Sequence, residues 1–462
     1  MAGTPLAVVL RYRRANTYGH HALLAALESA YPIGGPGVTL ARSGAELVAA
    51  IGDAAAKGHR VLVAWSFYSP DFAAACEQLG QVRGATAGLG DRVLHLVGGV
   101  HATAEPLVTL RAGFDAAAVG EGETTFVELV RALVADEDWH AVPGLAHLDG
   151  DGTLCRSGPA VAAELDRYRS FPFGLRLTSP IELTRGCIYA CRFCQTPFMF
   201  RARFRHRSVA SVREHVREMR RRGLRDVRFV TPTSLSYGSP DGTVRLEALE
   251  ELLVGVRSEL AAGGRIFLGS FPSEVRPEHV TPQALRLLRR FVANDNLIIG
   301  AQSGSEDMLR RSHRGHGVEV IERAVRLAVA AGFTPNVDVI LGMPGETDDE
   351  AMATVGLVER LAERGARIHA HTFMPLPGTP WRDESPTPLG PAPRAALERL
   401  TSQGRIYGSW QRQREVAVEL AGGRSASAGH RIRRVCRPDP AVRPVTPDPA
   451  VLTVPADAER QA

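Results

Sequence analysis

Residues 182–197 read ELTRGCIYACRFCQTP, and they bring three cysteines together: Cys187, Cys191 and Cys194. The gaps are three residues and then two. Three thiolates can hold three irons of a cubic four-iron, four-sulfur cluster. A fourth cysteine would close it into an electron carrier. No fourth cysteine lies nearby, so one iron stays open to a small ligand. Two other uses of the triplet are a zinc site and a disulfide framework. Structural zinc takes four ligands, usually as two separated pairs, and His206 is the available fourth here. A disulfide framework needs denser usage than six cysteines in 462 residues. Cys76, Cys155 and Cys436 are scattered, and Cys76 falls on an expected helix as a small buried residue.

Composition bounds the rest. A hydrophobic fraction of 44% supports buried cores, and the length suits two to four domains. No apolar run is long enough to span a membrane. Met1 to Leu10 carries no long apolar core, so a cytoplasmic location is expected. A net charge of +5 is mild for this length and does not point to nucleic acid. Arginine-rich stretches lie at 201–207 (RARFRHR) and 217–225 (REMRRRGLR); the second reads first as the solvated face of an amphipathic helix. A phosphate-binding patch is the alternative.

Two α/β patterns flank the connector. Residues 1–145 alternate apolar strands (6–10, 37–40, 61–66, 93–97, 116–119) with helices, the pattern of a doubly wound, Rossmann-like parallel sheet. Ligands of such sheets bind at the carboxyl ends of the strands. Small residues gather there: Ser66, Gly98, Gly99 and the turn Gly120-Glu121-Gly122-Glu123. Residues 146–178 read as a linker. From 179 to 381 six strands alternate with helices, with strands at 180–184, 227–231, 266–269, 297–302, 334–341 and 366–373. A helical extension is expected at 382–421, and a Pro-, Arg- and Ala-rich disordered tail at 422–462.

The cysteine segment resembles the radical S-adenosylmethionine (SAM) superfamily, whose signature is Cys-x3-Cys-x-aromatic-Cys; Phe193 supplies the aromatic position. The resemblance implies a partial (β/α)6 barrel, with Cys187, Cys191 and Cys194 holding a [4Fe-4S] cluster. The open iron would be chelated by the amino and carboxylate groups of SAM. One electron from an external flavodoxin- or ferredoxin-like donor would then release a 5′-deoxyadenosyl radical. The protein's own task would be orientation and exclusion of water.

Further stretches match family motifs at the strand ends. GAQSGSEDMLRRSHRGH (300–316) resembles the Gly-x-Gln/Glu-Ser-Gly-Ser stretch, which implies contacts to SAM from Gln302, Ser303 and Ser305; Ser305 also suits a helix N-cap. DVILGMPGETDDE (338–350) offers Ile340 against the adenine. GSFPSEVRPE (269–278) offers Ser270, Ser273 and Arg276, the last suited to a carboxylate. TPTSLSYGSP (231–240) lacks the acidic residues of many relatives, so the partner of the SAM ammonium is left unassigned. His369 and His371 share one face of a strand, and His313 and His316 stand near the fourth. No catalytic residue is assigned.

The first α/β unit resembles the cobalamin-binding domain that precedes many radical SAM cores. WSFYSPD (65–71), GGVHATAEP (98–106) and GEGETTF (120–126) match its loops in order. That implies cobalamin contacts from Ser66, Phe67, Gly98, Gly99, Gly120, Glu121 and Gly122. One departure concerns the motif Asp-x-His-x-x-Gly: with Gly19 as its glycine, Arg14 and Asn16 take the Asp and His positions. No lower histidine ligand is expected from this motif, and loss of cobalamin is the alternative.

The resulting expectation is a cobalamin-dependent radical SAM methyltransferase acting on an unactivated carbon of a small-molecule substrate. A cobalamin-independent radical SAM oxidoreductase or cyclase, and a non-catalytic cobalamin or iron–sulfur sensor, are the alternatives. A sulfur-inserting tRNA modifier would need further N-terminal cysteines, where only Cys76 stands.

Overall fold

The computed structural model describes residues 5–425, with side chains to 422. Five strands form the parallel part of the first sheet: β1 (Leu6–Arg11), β2 (Gly37–Ala41), β3 (Arg60–Ser66), β4 (Val93–Gly98) and β5 (Ala116–Ala118). The spatial order β2-β1-β3-β4-β5 is that of a doubly wound sheet. Every residue of β1 is buried, as a strand covered by helices on both faces requires. Two apolar clusters fill those faces, one around Trp65 and Phe67, the other around Leu10, Leu24 and Phe126.

The stretch read as a linker begins differently. Strands β6 (Leu145–Leu148) and β7 (Leu154–Arg156) join the same sheet antiparallel, making seven strands. The turn between them is tied by Asp149, whose side chain accepts the Asp151 and Thr153 amides. The remaining connector is pinned to the first helix, Thr17–Ala30, where Glu28 accepts the amides of Phe173 and Gly174.

The second unit is again parallel α/β. Strand β8 (Ile181–Glu182) is followed by a short antiparallel pair, β9 (Thr184–Arg185) with β10 (Arg205–His206). Strands β11 (Asp226–Val230) and β12 (Arg265–Phe267) complete a three-stranded sheet in the order β12-β11-β8. Strands β13 (Asn296–Gln302), β14 (Thr334–Leu341), β15 (Arg367–Thr372) and β16 (Ile406–Tyr407) form a second. Isolated bridges tie β12 to the segment before β13 (Ile266–Val292) and the loop after β12 to β13 (Val275–Ile299), in the direction of a partial barrel.

β14 alternates half-exposed and buried residues, so Val337, Val339 and Leu341 pack under the helices while Asp338 and Ile340 face the interior. The helix Asp348–Glu363 begins with a capping box, Thr347 accepting the Glu350 amide and Glu350 the Thr347 amide. That assigns the Asp348–Asp349 pair to a helix start.

The C-terminal extension holds the helix Pro391–Ser402, then β16, which the sequence had placed inside one longer helix. A further helix, Trp410–Ser425, runs into the first residues expected to be a disordered tail. The rest of that tail and Cys436 lie outside the described residues. No described helix is long and apolar enough to cross a membrane.

Candidate active site

The cysteine loop leaves β9 through Gly186. Its φ is +80°, and a Cβ there would lie 3.1 Å from the carbonyl oxygens of Phe200 and Arg201, so only glycine fits. Cys191 is buried, and the Cys194 amide bonds its carbonyl at 3.1 Å. Burial pushes the Cys187 thiol up to about 11 and raises Cys194 as well. Metal ligation deprotonates such thiols outright. Two buried guanidiniums face the Cys191 sulfur, Arg314 Nη1 at 3.7 Å and Arg276 Nη1 at 4.0 Å. Three clustered thiols with cationic neighbours fit an anionic iron–sulfur cluster.

Arg276 therefore does not stand free for a SAM carboxylate. Its Nε bonds Glu278, its Nη2 bonds the Arg314 carbonyl, and its guanidinium lies 3.6 Å over the Tyr189 ring. Ser303 and Ser305 also have local partners, including the N-cap expected of Ser305. Ser303 Oγ accepts the Ser305 amide and meets Thr354, while Ser305 Oγ accepts the Met308 amide and bonds Glu350. Both are spent on starting the helix Glu306–Arg311. Ser270 is buried with an unpartnered Oγ and does not line the cavity beside the cluster loop.

That cavity, about 280 Å³, is lined by Phe193, Gln302 and Ile340 among the expected residues. Gln302 has φ +77°, a conformation that non-glycine residues rarely hold, at a register break in β13. Glu274, Asp338 and His371 also line it. Burial raises the Glu274 carboxyl pKa, with Arg314 and Arg276 pulling the other way. Glu274 went unnoticed although it sits in the turn quoted for its neighbours. Asp338 shares the Ile340 face by simple alternation.

A second opening lies between the first sheet and the cysteine-bearing unit. One cavity, about 430 Å³, is lined by Ser66, Gly98, Gly99, Gly120, Glu121 and Gly122, and on the far side by Thr184, Arg185 and Gly186. A smaller one, about 220 Å³, meets Asn16, Ser66, Phe67 and Phe200. Gly99 has φ +92°, and a Cβ there would lie 2.8 Å from Ser66 Oγ. His20 lines the larger cavity; it is 1% exposed and neither ring nitrogen has a partner. Burial drives its pKa down to about 3, so the ring is neutral. An unpaired buried imidazole in the wall, beside the polar Ser66, Glu121 and Arg185, fits an occupant with polar groups.

Asn16 is committed. Its Nδ2 donates to the Arg11 and Ser66 carbonyls at 3.1 and 2.9 Å, and its Oδ1 accepts the Arg13 amide at 2.9 Å. It pins the loop after β1 to the end of β3. Glu121 is committed too: it accepts from Arg185 Nη1 at 3.0 Å, from Arg205, and from the Ala163 amide at 2.8 Å. Burial would raise its pKa, but the Arg205 hydrogen bond and the Arg185 charge hold it below the usual range. Arg185 also binds Glu123 at 2.6 Å and Glu182 at 2.8 Å. The glycine–glutamate turn thus clamps the two units across the cavity.

Residues 181–358 match the family model of the radical SAM superfamily. The chain carries a radical SAM domain. The family implies a [4Fe-4S] cluster and SAM. It is 28% identical over 264 residues to the threonylcarbamoyladenosine tRNA methylthiotransferase MtaB of Thermotoga maritima, covering 56% of this chain and 57% of that protein. It is 25% identical over 349 residues to the protein MK0932 of Methanopyrus kandleri, covering 66% and 64%. These matches span less than two thirds of either relative. Among solved structures, the methyltransferase TsrM of Kitasatospora setae, with cobalamin and a [4Fe-4S] cluster bound, superposes with a TM-score of 0.64 at 18% identity, over 82% of this chain and 74% of that one. The cobalamin-dependent radical enzyme OxsB gives 0.60 at 15% identity, over 77% and 52%. At these identities the likeness is one of fold: an N-terminal, mostly parallel sheet followed by a radical SAM domain.

Proposed function

We propose that this enzyme is a cobalamin-dependent radical SAM methyltransferase acting on a carbon of a small-molecule substrate. The observation that carries the reading is the cavity between the sheet and the cysteine-bearing unit. The three loops matched to the cobalamin pattern line it from one side, and the strand leading into Cys187 lines it from the other. The neighbours TsrM and OxsB bear cobalamin in the same two-part architecture. An uncharacterized methyltransferase of Pyrococcus horikoshii, PH0819, is 26% identical over 310 residues. Bound there, cluster and SAM supply an organic radical, and cobalamin supplies a methyl group.

The chain's own residues have separable tasks. Cys187, Cys191 and Cys194 hold the cluster, and Arg276 and Arg314 place positive charge on its Cys191 side. Glu274 supplies a carboxylate to the SAM ammonium, the partner missing from the end of β11. Gln302 and Ile340 orient the rest of SAM beside Phe193. Gly98, Gly99 and Gly120 let backbone approach the corrin, and His20 hydrogen-bonds a polar group buried with it. Asn16, held by three backbone groups, gives cobalt no nitrogen ligand.

The test is anaerobic reconstitution with iron, sulfide and cobalamin, followed by SAM and dithionite. Formation of 5′-deoxyadenosine supports radical initiation, and its absence defeats it. Transfer of label from methyl-labelled SAM to the bound cobalamin supports the methyltransferase reading. Radical formation without any cobalamin uptake would favour the cobalamin-independent oxidoreductase.

A further inference from the structure

Three side chains from two neighbouring strands converge beside the SAM cavity. Asp338 on β14 lies opposite His369 on β15 in the parallel register, and His371 follows on the same face. Asp338 Oδ1 is 3.2 Å from His369 Nδ1 and 3.9 Å from His371 Nε2, and the donor atoms of all three lie within 4.8 Å of one another. The rings are held in place. His369 stacks on Tyr407 with centroids 4.7 Å apart and planes 8° from parallel, and meets His371 edge-on at 4.0 Å.

Hydrogen bonding alone accounts for only part of this. The His369 contact is a hydrogen bond, but His371 Nε2, 3.9 Å from the same oxygen, is beyond hydrogen-bond reach. Ligands about 2.1 Å from a shared tetrahedral ion stand about 3.4 Å apart, and the two observed separations bracket that spacing. Two imidazoles and one carboxylate suit zinc or iron(II) better than magnesium or calcium, which prefer oxygen. Three protein ligands also leave a position open, as catalytic and substrate-binding sites do. Asp338 and His371 both line the cavity of about 280 Å³, so that position faces the space beside Phe193 and Gln302.

We infer that Asp338, His369 and His371 hold a divalent first-row transition ion whose open position takes a carboxylate, hydroxyl or amine donor of the molecule bound in this cavity. What occupies the cavity rests on the radical reading above; the ion does not.

Gln413 sharpens the inference. Its Oε1 accepts the Thr372 amide at 2.9 Å, and its Nε2 stands 3.4 Å from His371 Nδ1. Ligation through Nε2 puts a proton on Nδ1, which then needs an acceptor. A glutamate at 413 would serve both the Thr372 amide and that proton, so Gln413→Glu is expected to tighten the site.

The experiment uses the full chain, reconstituted anaerobically so that the three cysteines carry iron. It is equilibrated with zinc sulfate, desalted, and analysed for zinc by mass spectrometry. The expected result is one zinc per chain, binding weakened at least tenfold in His369→Ala and in His371→Ala, and tightened about tenfold in Gln413→Glu. Iron content and circular dichroism report folding of each variant, and the Gln413→Glu gain does not depend on the histidine variants folding. Absence of stoichiometric zinc in the wild type, or affinity unchanged in all three variants, overturns the inference. 5′-Deoxyadenosine formation measured on the same samples reports separately on the radical reading.

Discussion

Replacing Arg314 with Gln tests how this chain sets its cluster's potential. Arg314 is 4% exposed, and its Nη1 lies 3.7 Å from Cys191 Sγ. Its Nη2 bonds the Gly300 carbonyl at 2.7 Å and its Nε bonds His316 at 3.0 Å, so the charge cannot swing away. Reduction adds one negative charge to the cluster. A unit pair about 4 Å apart is worth about 4 kcal/mol at an effective dielectric near 20. The added electron is spread over the cluster and lies farther off on average, so about 2 kcal/mol is the working figure. With 59 mV per tenfold change in a one-electron step, that is about 85 mV. The assay is a potentiometric titration of the reconstituted cluster followed by electron paramagnetic resonance. Arg314→Gln is expected to lower the midpoint by about 50–120 mV, and Arg314→Lys by less because the charge stays. With iron content equal, a shift under about 20 mV in the Gln variant would refute the reasoning. Equal shifts in the Gln and Lys variants would assign the effect to packing instead of charge.

Other consequences follow from buried charge. Arg185→Met leaves Glu123, 4% exposed, without the ion pair at 2.6 Å, and should cost about 3–5 kcal/mol in urea unfolding. Glu123→Gln in the same chain should recover part of it. Glu346 is buried, and burial with the nearby Glu350 charge pushes its carboxyl up to about 7. Its folded pKa is above the unfolded value, so its stabilisation is complete below about pH 4.5 and is lost as pH rises through about 7, about 3 kcal/mol in all. Glu346→Gln should flatten that slope, read as denaturant midpoints from pH 5 to 8. Gly99→Val forces a side chain onto Ser66 at φ +92° and should abolish cobalamin retention while leaving cluster iron unchanged.

The sequence carried the fold wherever period and punctuation agreed. The apolar run of β1 and the strict alternation of β14 admit few other readings, and the cysteine spacing located the cluster loop. The hairpin β6–β7 was missed because its strands are short and its turn, Asp149 to Gly152, looked like loop composition. A polar turn before a helix serves capping and ligand binding equally, so the sequence left both roles open for Ser305, and the contacts of Ser303 to Thr354 and Ser305 to Glu350 were not legible in it. The partners of Arg276, Glu278 and the Arg314 carbonyl, were not legible, since spacing does not say which way a strand end turns. The same ambiguity hid Glu274. The meeting of Asp338 with His369 depends on register between strands, which no single-strand pattern contains.

The most direct test of the account is cobalamin retention by the anaerobically reconstituted chain after gel filtration, with cobalt and iron counted together. The account predicts one cobalamin per chain alongside a full cluster. A chain that keeps its cluster and binds no cobalamin would contradict it.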